Sequence, residues 1–258
     1  MTTIALLSDF GIVDVYVAEV KAALLRLGPA DLRLIDITHD VPPGDVAAGA
    51  WALARFWGQL PPGAIHLAVV DPGVGTGRPA VAAAAAGSYF VGPGNGIGAF
   101  LGASPDLRVV RLARRESPPG RAPSTTFDGR DRFAPAAARL AAGLDLAALG
   151  DPGLPADLGA PPRPAAGGCR VVWVDRFGNL ITDLRRDAAA AAALRSGVPL
   201  AVAGRAVRGP VAAYAEGARD ELIWYWGSGD TLEIARRGAS AAALLGAAPG
   251  LVIELPAS

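Results

Sequence analysis

The chain has almost no cysteine: of its 258 residues only Cys169 carries a thiol. One thiol cannot close an internal disulfide, and it excludes a multi-cysteine metal site. Histidine is nearly as scarce, and His39 and His66 lack the short spacing of zinc ligands, so no metal is expected. Lys21 is the lone lysine; arginine carries the positive charge, a bias of genomic base composition rather than a functional signal. Neither sign of charge is in excess. With 24 basic and 24 acidic residues the formal charge is zero, which argues against nucleic acid or an anionic membrane as partner. No secretory leader is expected either: Asp9 and Asp14 interrupt the only apolar start, and no basic region precedes it. The uncharged stretch 79–105 is the one candidate membrane span. Pro93-Gly94-Asn95-Gly96 and further glycines break it, and it reads better as two buried strands and a short helix. The expectation is a cytoplasmic protein without a membrane span. Apolar residues make up 52% of the chain, enough for a sizeable core in one large or two smaller domains.

The chain is organised around Val69-Val70-Asp71-Pro72-Gly73-Val74-Gly75-Thr76-Gly77-Arg78. An apolar run from Ile65 to Val70 reads as a buried strand and stops at an Asp-Pro step. Pro fixes φ and restrains the residue before it, while the glycines open backbone geometries closed to other residues. A carboxylate is thus presented at a strand end, with a guanidinium seven residues later; in open α/β sheets ligands sit at such edges. A plain turn with a solvated Asp fits these ten residues as well. A Walker loop does not, because Arg78 and Pro79 stand where Gly-Lys-Ser/Thr would be required.

Upstream, Ile4–Leu7 and Leu32–Ile37 read as strands, and helices follow each, the first with Asp14 as its cap. Strand, helix, strand, helix, strand predicts a parallel α/β sheet. Val81–Ala85, Tyr89–Val91 and Leu107–Leu112 are further strands, and a helix is expected from about Phe133 to Ala142. The polar loop 124–131 before that helix offers backbone N–H groups to a ligand. Residues 1–150 are expected to form this N-terminal α/β domain. Residues 151–168, rich in Pro and Gly, read as a linker. Short strand candidates then crowd residues 169–258, with one helix at Ser240–Leu245, the rhythm of a smaller β-barrel or sandwich.

Several of these loops together resemble one family. Ser8-Asp9-Phe10-Gly11 with Asp14 and Tyr16, Asp36-Ile37-Thr38-His39, the 69–78 loop, Thr126-Phe127 with Gly129-Arg130-Asp131, Phe177-Gly178-Asn179 and Leu232-Glu233-Ile234-Ala235 run in the order found in the S-adenosyl-L-methionine (SAM) hydroxide adenosyltransferases. These SAM hydrolases are relatives of the SAM-dependent fluorinase and chlorinase. The resemblance implies an N-terminal α/β domain, a C-terminal β-barrel domain and a homotrimer with ligand held between subunits. It implies attack of water at C5′ of the SAM ribose, leaving adenosine and L-methionine, with SAM as substrate and no cofactor.

The family's water-holding Asp and Arg fall on Asp71 and Arg78. Its third residue is His, and here Asp128 stands in its place. Two carboxylates beside one Arg repel, and a proton shared between them is one expected outcome. A protein that binds SAM or adenosine with little or no turnover is the alternative; a halogenase is disfavoured, because an anion beside Asp71 is repelled. Gly94 replaces a family Asp ahead of Asn95 and Gly96, and the 226–230 turn departs from the family pattern. By the same resemblance Asp9 binds the ribose hydroxyls, Asp14 has a substrate contact as its second role, and Asn95, Thr126 and Phe127 line the pocket. Asp175 meets the methionine amine, Asn179 the adenine edge, and Ser228 and Glu233 reach substrate from the barrel. Tyr214 stacks on adenine, and Arg236 lends its backbone. Structural roles stand beside these: a cap for Asp14, core for Phe127, a strand end for Asp175, a left-handed turn for Asn179, an outward strand position for Glu233. His39 and His66 are expected to be structural.

Overall fold

The computed structural model describes residues 2–112, 120, 122–162, 168–195 and 200–256. The chain divides into two compact units, residues 1–162 and 163–258. The first contains β1 (Thr3–Ser8), α1 (Tyr16–Leu27), β2 (Arg33–Thr38), α2 (Val46–Phe56), β3 (Ile65–Val69), β4 (Ala80–Ala85), β5 (Ser88–Pro93), β6 (Arg108–Leu112), α3 (Ala134–Ala141) and β7 (Gly150–Pro152). Seven strands form one sheet in the order β2-β1-β3-β5-β4-β6-β7. The expected parallel pairing holds for β2-β1-β3-β5. Beyond it the sheet is mixed: β4 runs antiparallel to both β5 and β6. The reason is local. Ala86 and Gly87, both with positive φ, make a two-residue turn of the kind that suits the twist of a hairpin. The alanines of β4 are a strand because both sheet faces are covered there, not because alanine favours strands.

The carboxyl ends of β1, β2, β3 and β5 share one edge of this sheet, and each opens into one of the motif loops. Asp45 caps α2 by accepting from the Ala48 N–H at 3.0 Å. Asp14 does not cap α1. That helix starts at Tyr16, its N-cap Val15 offers no side-chain bond, and Asp14 is exposed. Nor does the later helix begin cleanly at Phe133: residues 129–133 form a π-helical turn that runs on into α3, and such widened turns are frequent at functional sites. Residues 150–158 pack with the first unit. β7 pairs with β6, and the Asp157 carboxylate takes the Arg111 guanidinium at 2.8 and 2.7 Å.

The core lies between the sheet and α1 and α3, where Leu24, Leu67, Phe133 and Ala137 are fully buried. His66 is buried too, as expected of a structural residue. Its Nδ1 lies 3.2 Å from the Tyr89 carbonyl and so carries the proton, and its ring packs 4.4 Å from Trp57. Burial pushes its pKa down from the ordinary 6.5. The unfolded chain then takes a proton more readily, so stability present above about pH 6.5 is lost as the pH falls toward the folded value. Denaturant unfolding at pH 7.5 and 5.5 is expected to show a loss that shrinks in His66→Gln. Equal losses in both proteins would place the acid sensitivity elsewhere.

The second unit holds β8 (Gly168–Val174), β9 (Leu180–Arg185), α4 (Ala192–Arg195), β10 (Leu200–Val202), β11 (Arg205–Val207), β12 (Leu222–Trp226), β13 (Thr231–Arg236), α5 (Ala241–Leu245) and β14 (Val252–Glu254). Five strands pair antiparallel in the order β12-β13-β9-β8-β14 and curl into a half-barrel, with β10-β11 as a separate hairpin. Ser240 caps α5 by accepting from Ala243 N–H at 3.0 Å. Cys169 is buried in this core, and burial pushes its thiol up to about 12, which leaves it an inert apolar residue.

Candidate active site

Asp71 lies just past the end of β3, where the chain leaves the sheet edge. Thr76 then folds the loop back on itself, its N–H and hydroxyl both donating to the Gly73 carbonyl at 3.1 and 2.6 Å. Gly75 has φ +81°, and a Cβ there would come within 3.2 Å of the Thr125 carbonyl, so this turn needs glycine. The fold-back returns Arg78 to Asp71. Arg78 Nε donates to Asp71 Oδ1 at 2.8 Å and Nη2 to Asp71 Oδ2, a bidentate pair. The same Nη2 donates to Asp128 Oδ2 at 2.8 Å. The three side chains are 10%, 5% and 2% exposed in the order Arg78, Asp71, Asp128. One guanidinium therefore bridges two buried carboxylates. Its face lies 5.3 Å from the Phe133 ring.

Around this cluster the neighbouring loops bring their own groups. Phe10, Tyr16 and Phe127 form an aromatic trio with centroids 5.5 to 5.9 Å apart. Phe127 is half-buried rather than plain core, and Thr126 beside it is exposed. The Asp9 carboxylate accepts the Gly44 N–H at 2.8 Å, tying the β1 loop to the β2 loop. Ser8 and His39 reinforce that tie: Ser8 Oγ lies 2.7 Å from His39 Nδ1, and Gly11 N–H donates to the His39 carbonyl at 2.8 Å. Asn95 spends its amide on the Val70 carbonyl at 2.8 Å, holding the β5 loop against the strand end that presents Asp71.

In the second unit Asp175 accepts three hydrogen bonds: from the N–H groups of Phe177 and Asn179 at 2.9 and 2.8 Å, and from Asn179 Nδ2 at 2.8 Å. The left-handed residue of this turn is Gly178, not Asn179. Glu233 is buried, not outward-facing; it pairs across the sheet with Tyr225 and is hydrogen-bonded to its hydroxyl. Burial first, then the Glu233 and Asp175 carboxylates, push the Tyr225 phenol up. A Cβ on Gly227 would lie 1.9 Å from Glu233 Oε1, so glycine makes room for that carboxylate. Tyr214 donates its hydroxyl to the Arg236 carbonyl at 2.9 Å, and Ala239 N–H donates to the same carbonyl at 3.2 Å, while the Arg236 guanidinium meets Asp220 at 3.1 Å. Ser228 lies exposed in the 227–230 turn.

Residues 4–150 match the SAM hydroxide adenosyltransferase N-terminal domain, and residues 169–254 match the C-terminal domain. The chain belongs to the SAM hydroxide adenosyltransferase family. An (R)-S-adenosyl-L-methionine hydrolase of Salinispora tropica is 42% identical over 259 residues, covering 96% of this chain and 95% of its own. One of Thermus thermophilus is 41% identical, covering 99% and 100%. A fluorinase of Nocardia brasiliensis is more distant, at 29% over 57% of this chain and 56% of its own. The crystal structure of an uncharacterized conserved protein from Thermotoga maritima superposes with a TM-score of 0.83 at 31% identity, covering 98% of this chain and 100% of that one.

At residue 94, where the resemblance implies an acid, this chain has no room for a side chain. A Cβ on Gly94 would lie 2.0 Å from the Asp157 carbonyl. Gly94→Asp is therefore expected to lower stability by about 1–3 kcal/mol, as overpacking does. Thermal unfolding checks this; a midpoint equal to the parent's would mean the 154–158 turn moves aside freely. Two participants stand outside the motifs: Arg132, whose Nη1 lies 3.8 Å from Asp128 Oδ2 and whose four-residue spacing is a legible signal, and Tyr225 beside Glu233, which depends on strand register. Ser8 lies within a motif, but its contact with His39 depends on the pairing of β1 with β2. Among the described residues, no group of three or more His, Cys, Asp or Glu side chains could hold a metal ion.

Proposed function

We propose that this SAM hydroxide adenosyltransferase hydrolyses SAM to adenosine and L-methionine. The observation that carries the reading is the Asp71–Arg78–Asp128 cluster at the carboxyl edge of the sheet, two buried carboxylates held by one guanidinium. Water placed between the carboxylates donates its hydrogens to them, which aims an oxygen lone pair at C5′. The oxygen–carbon bond forms as the C5′–S bond breaks, and the bond pair leaves with sulfur as the neutral thioether of methionine. The released proton passes to a carboxylate and then to solvent. The sulfonium needs no acid to leave, so the protein's task is alignment of water with the C5′–S axis and its polarisation.

Asp9 suits the ribose diol, since a carboxylate accepts two such bonds while also holding the Gly44 N–H. Thr126 and Phe127, with Phe10 and Tyr16, suit the nucleoside. Asp175 retains acceptor capacity for the methionine ammonium, and Asn179, Tyr214, Ser228, Glu233 and Arg236 complete the set from the C-terminal unit. We further propose a homotrimer in which the two units of different subunits share each site. The apolar segment beside Asp9 supports it: Ile12, Val13 and Val15 are 77%, 95% and 66% exposed. Sedimentation of the purified protein tests the trimer. No helix of the described residues is long and apolar enough to cross a membrane, and we propose a cytoplasmic location.

The test is incubation of the purified protein with SAM, with and without excess chloride, and chromatography of the products. Adenosine and methionine in equal amounts are expected, unchanged by chloride. A 5′-chloro product would make the chain a halogenase. Tight SAM or adenosine binding without turnover would make it a sensor.

A further inference from the structure

Asp71 takes both strong bonds of the Arg78 fork, and Asp128 receives a share of one of its nitrogens. One cation set between two buried carboxylates leaves a net negative charge, and a second cation nearby offsets it. A second guanidinium stands there. Arg132, four residues after Asp128, places Nη1 3.8 Å from Asp128 Oδ2. Its position is fixed from behind, since Nη2 donates to the Leu112 carbonyl at the end of β6, and the side chain is only 18% exposed. The other arginine of the turn is engaged elsewhere: Arg130 pairs with Asp131 at 2.7 Å and with Glu19 at 3.1 Å.

Arg132 lies in the first turn of a helical run that continues into α3. The positive end of a helix dipole favours acids there and disfavours cations. The four-residue spacing lets Arg132 meet Asp128, as on any helical turn; the dipole opposes a cation there, and the charge balance of the cluster supplies the further reason for it. We infer that Arg132 is a positioning residue for the proposed reaction: among the described residues it completes a two-acid, two-cation cluster and holds the Asp128 carboxylate aimed at the water. This inference rests on the hydrolase reading. It makes residue 132 the counterpart of the acid at residue 128, so that the two positions act as a unit.

A double-mutant cycle tests it, built from Arg132→Met, Asp128→Asn and the pair, with Arg132→Lys as the conservative variant. Arg132→Met is expected to lower kcat about tenfold with KM for SAM within about twofold, since an interaction made in the transition state is lost rather than uniform binding. Arg132→Lys recovers most of that loss. In the Asp128→Asn background, Arg132→Met costs nothing further. Equal losses in both backgrounds would overturn the inference and leave Arg132 as a support of the Leu112 strand end. So would a rise in KM alone, or no loss at all. The same cycle read by thermal unfolding requires no turnover. Coupling between the two positions is expected there as well, and additive shifts would overturn the pairing even in a parent that proves inactive. Parent turnover, measured first, reports separately on the hydrolase reading.

Discussion

Arg78→Met is expected to abolish measurable adenosine formation and to lower the stability of the N-terminal unit by about 3–5 kcal/mol. Both effects have one cause. Arg78 is 10% exposed and bridges two carboxylates that are themselves nearly sealed from water. Methionine fills similar space but leaves Asp71 and Asp128 facing each other without the guanidinium between them. The two charges then repel, and their separation destroys the seat of the water. Steady-state kinetics and denaturant unfolding check the two effects together. Unchanged stability would mean that the carboxylates reach solvent more readily than their burial indicates.

Asp71→Asn is expected to separate chemistry from folding. Asparagine matches the shape of aspartate and Arg78 keeps Asp128, but the amide nitrogen cannot accept one of the two Arg78 bonds, so stability falls by about 1–3 kcal/mol, less than in Arg78→Met. The variant loses an acceptor for the water's hydrogens, and the loss of a positioned proton acceptor costs about 10²–10⁴ in rate. The effect belongs in kcat, with KM for SAM near the parent value, because Asp71 meets the water rather than the nucleoside. A large rise in KM with kcat preserved would assign Asp71 to binding instead.

Much of this site is legible in the amino-acid sequence. The Asp-Pro-Gly step marks where β3 ends, and the spacing to Arg78 carries the ion pair, because a seven-residue return loop leaves few other geometries. The strands of the second unit are legible from short apolar runs between turns. What the sequence hides depends on contacts remote along the chain or on small changes of winding. The antiparallel course of β4 hangs on two positive-φ residues, Ala86 and Gly87. The Pro/Gly composition of residues 150–158 hides a strand and a buried acid, Asp157, whose partner Arg111 lies 46 residues away. Asp14 looks like a cap because it precedes a helix, yet α1 begins too late for its side chain to reach the free N–H groups. Asp128 is visible as an acid in place of histidine. Its second cation is masked by the more familiar Gly-Arg-Asp motif beside it, although four-residue spacing on a helical turn brings such side chains together.

The most direct test of the central claim is turnover of SAM in water enriched in oxygen-18. Attack at C5′ predicts one heavy oxygen in the 5′-hydroxyl of the adenosine and none in the methionine, at a rate that falls in Asp71→Asn. Adenosine without the label, or label in the methionine, would contradict attack of water at C5′ by this cluster.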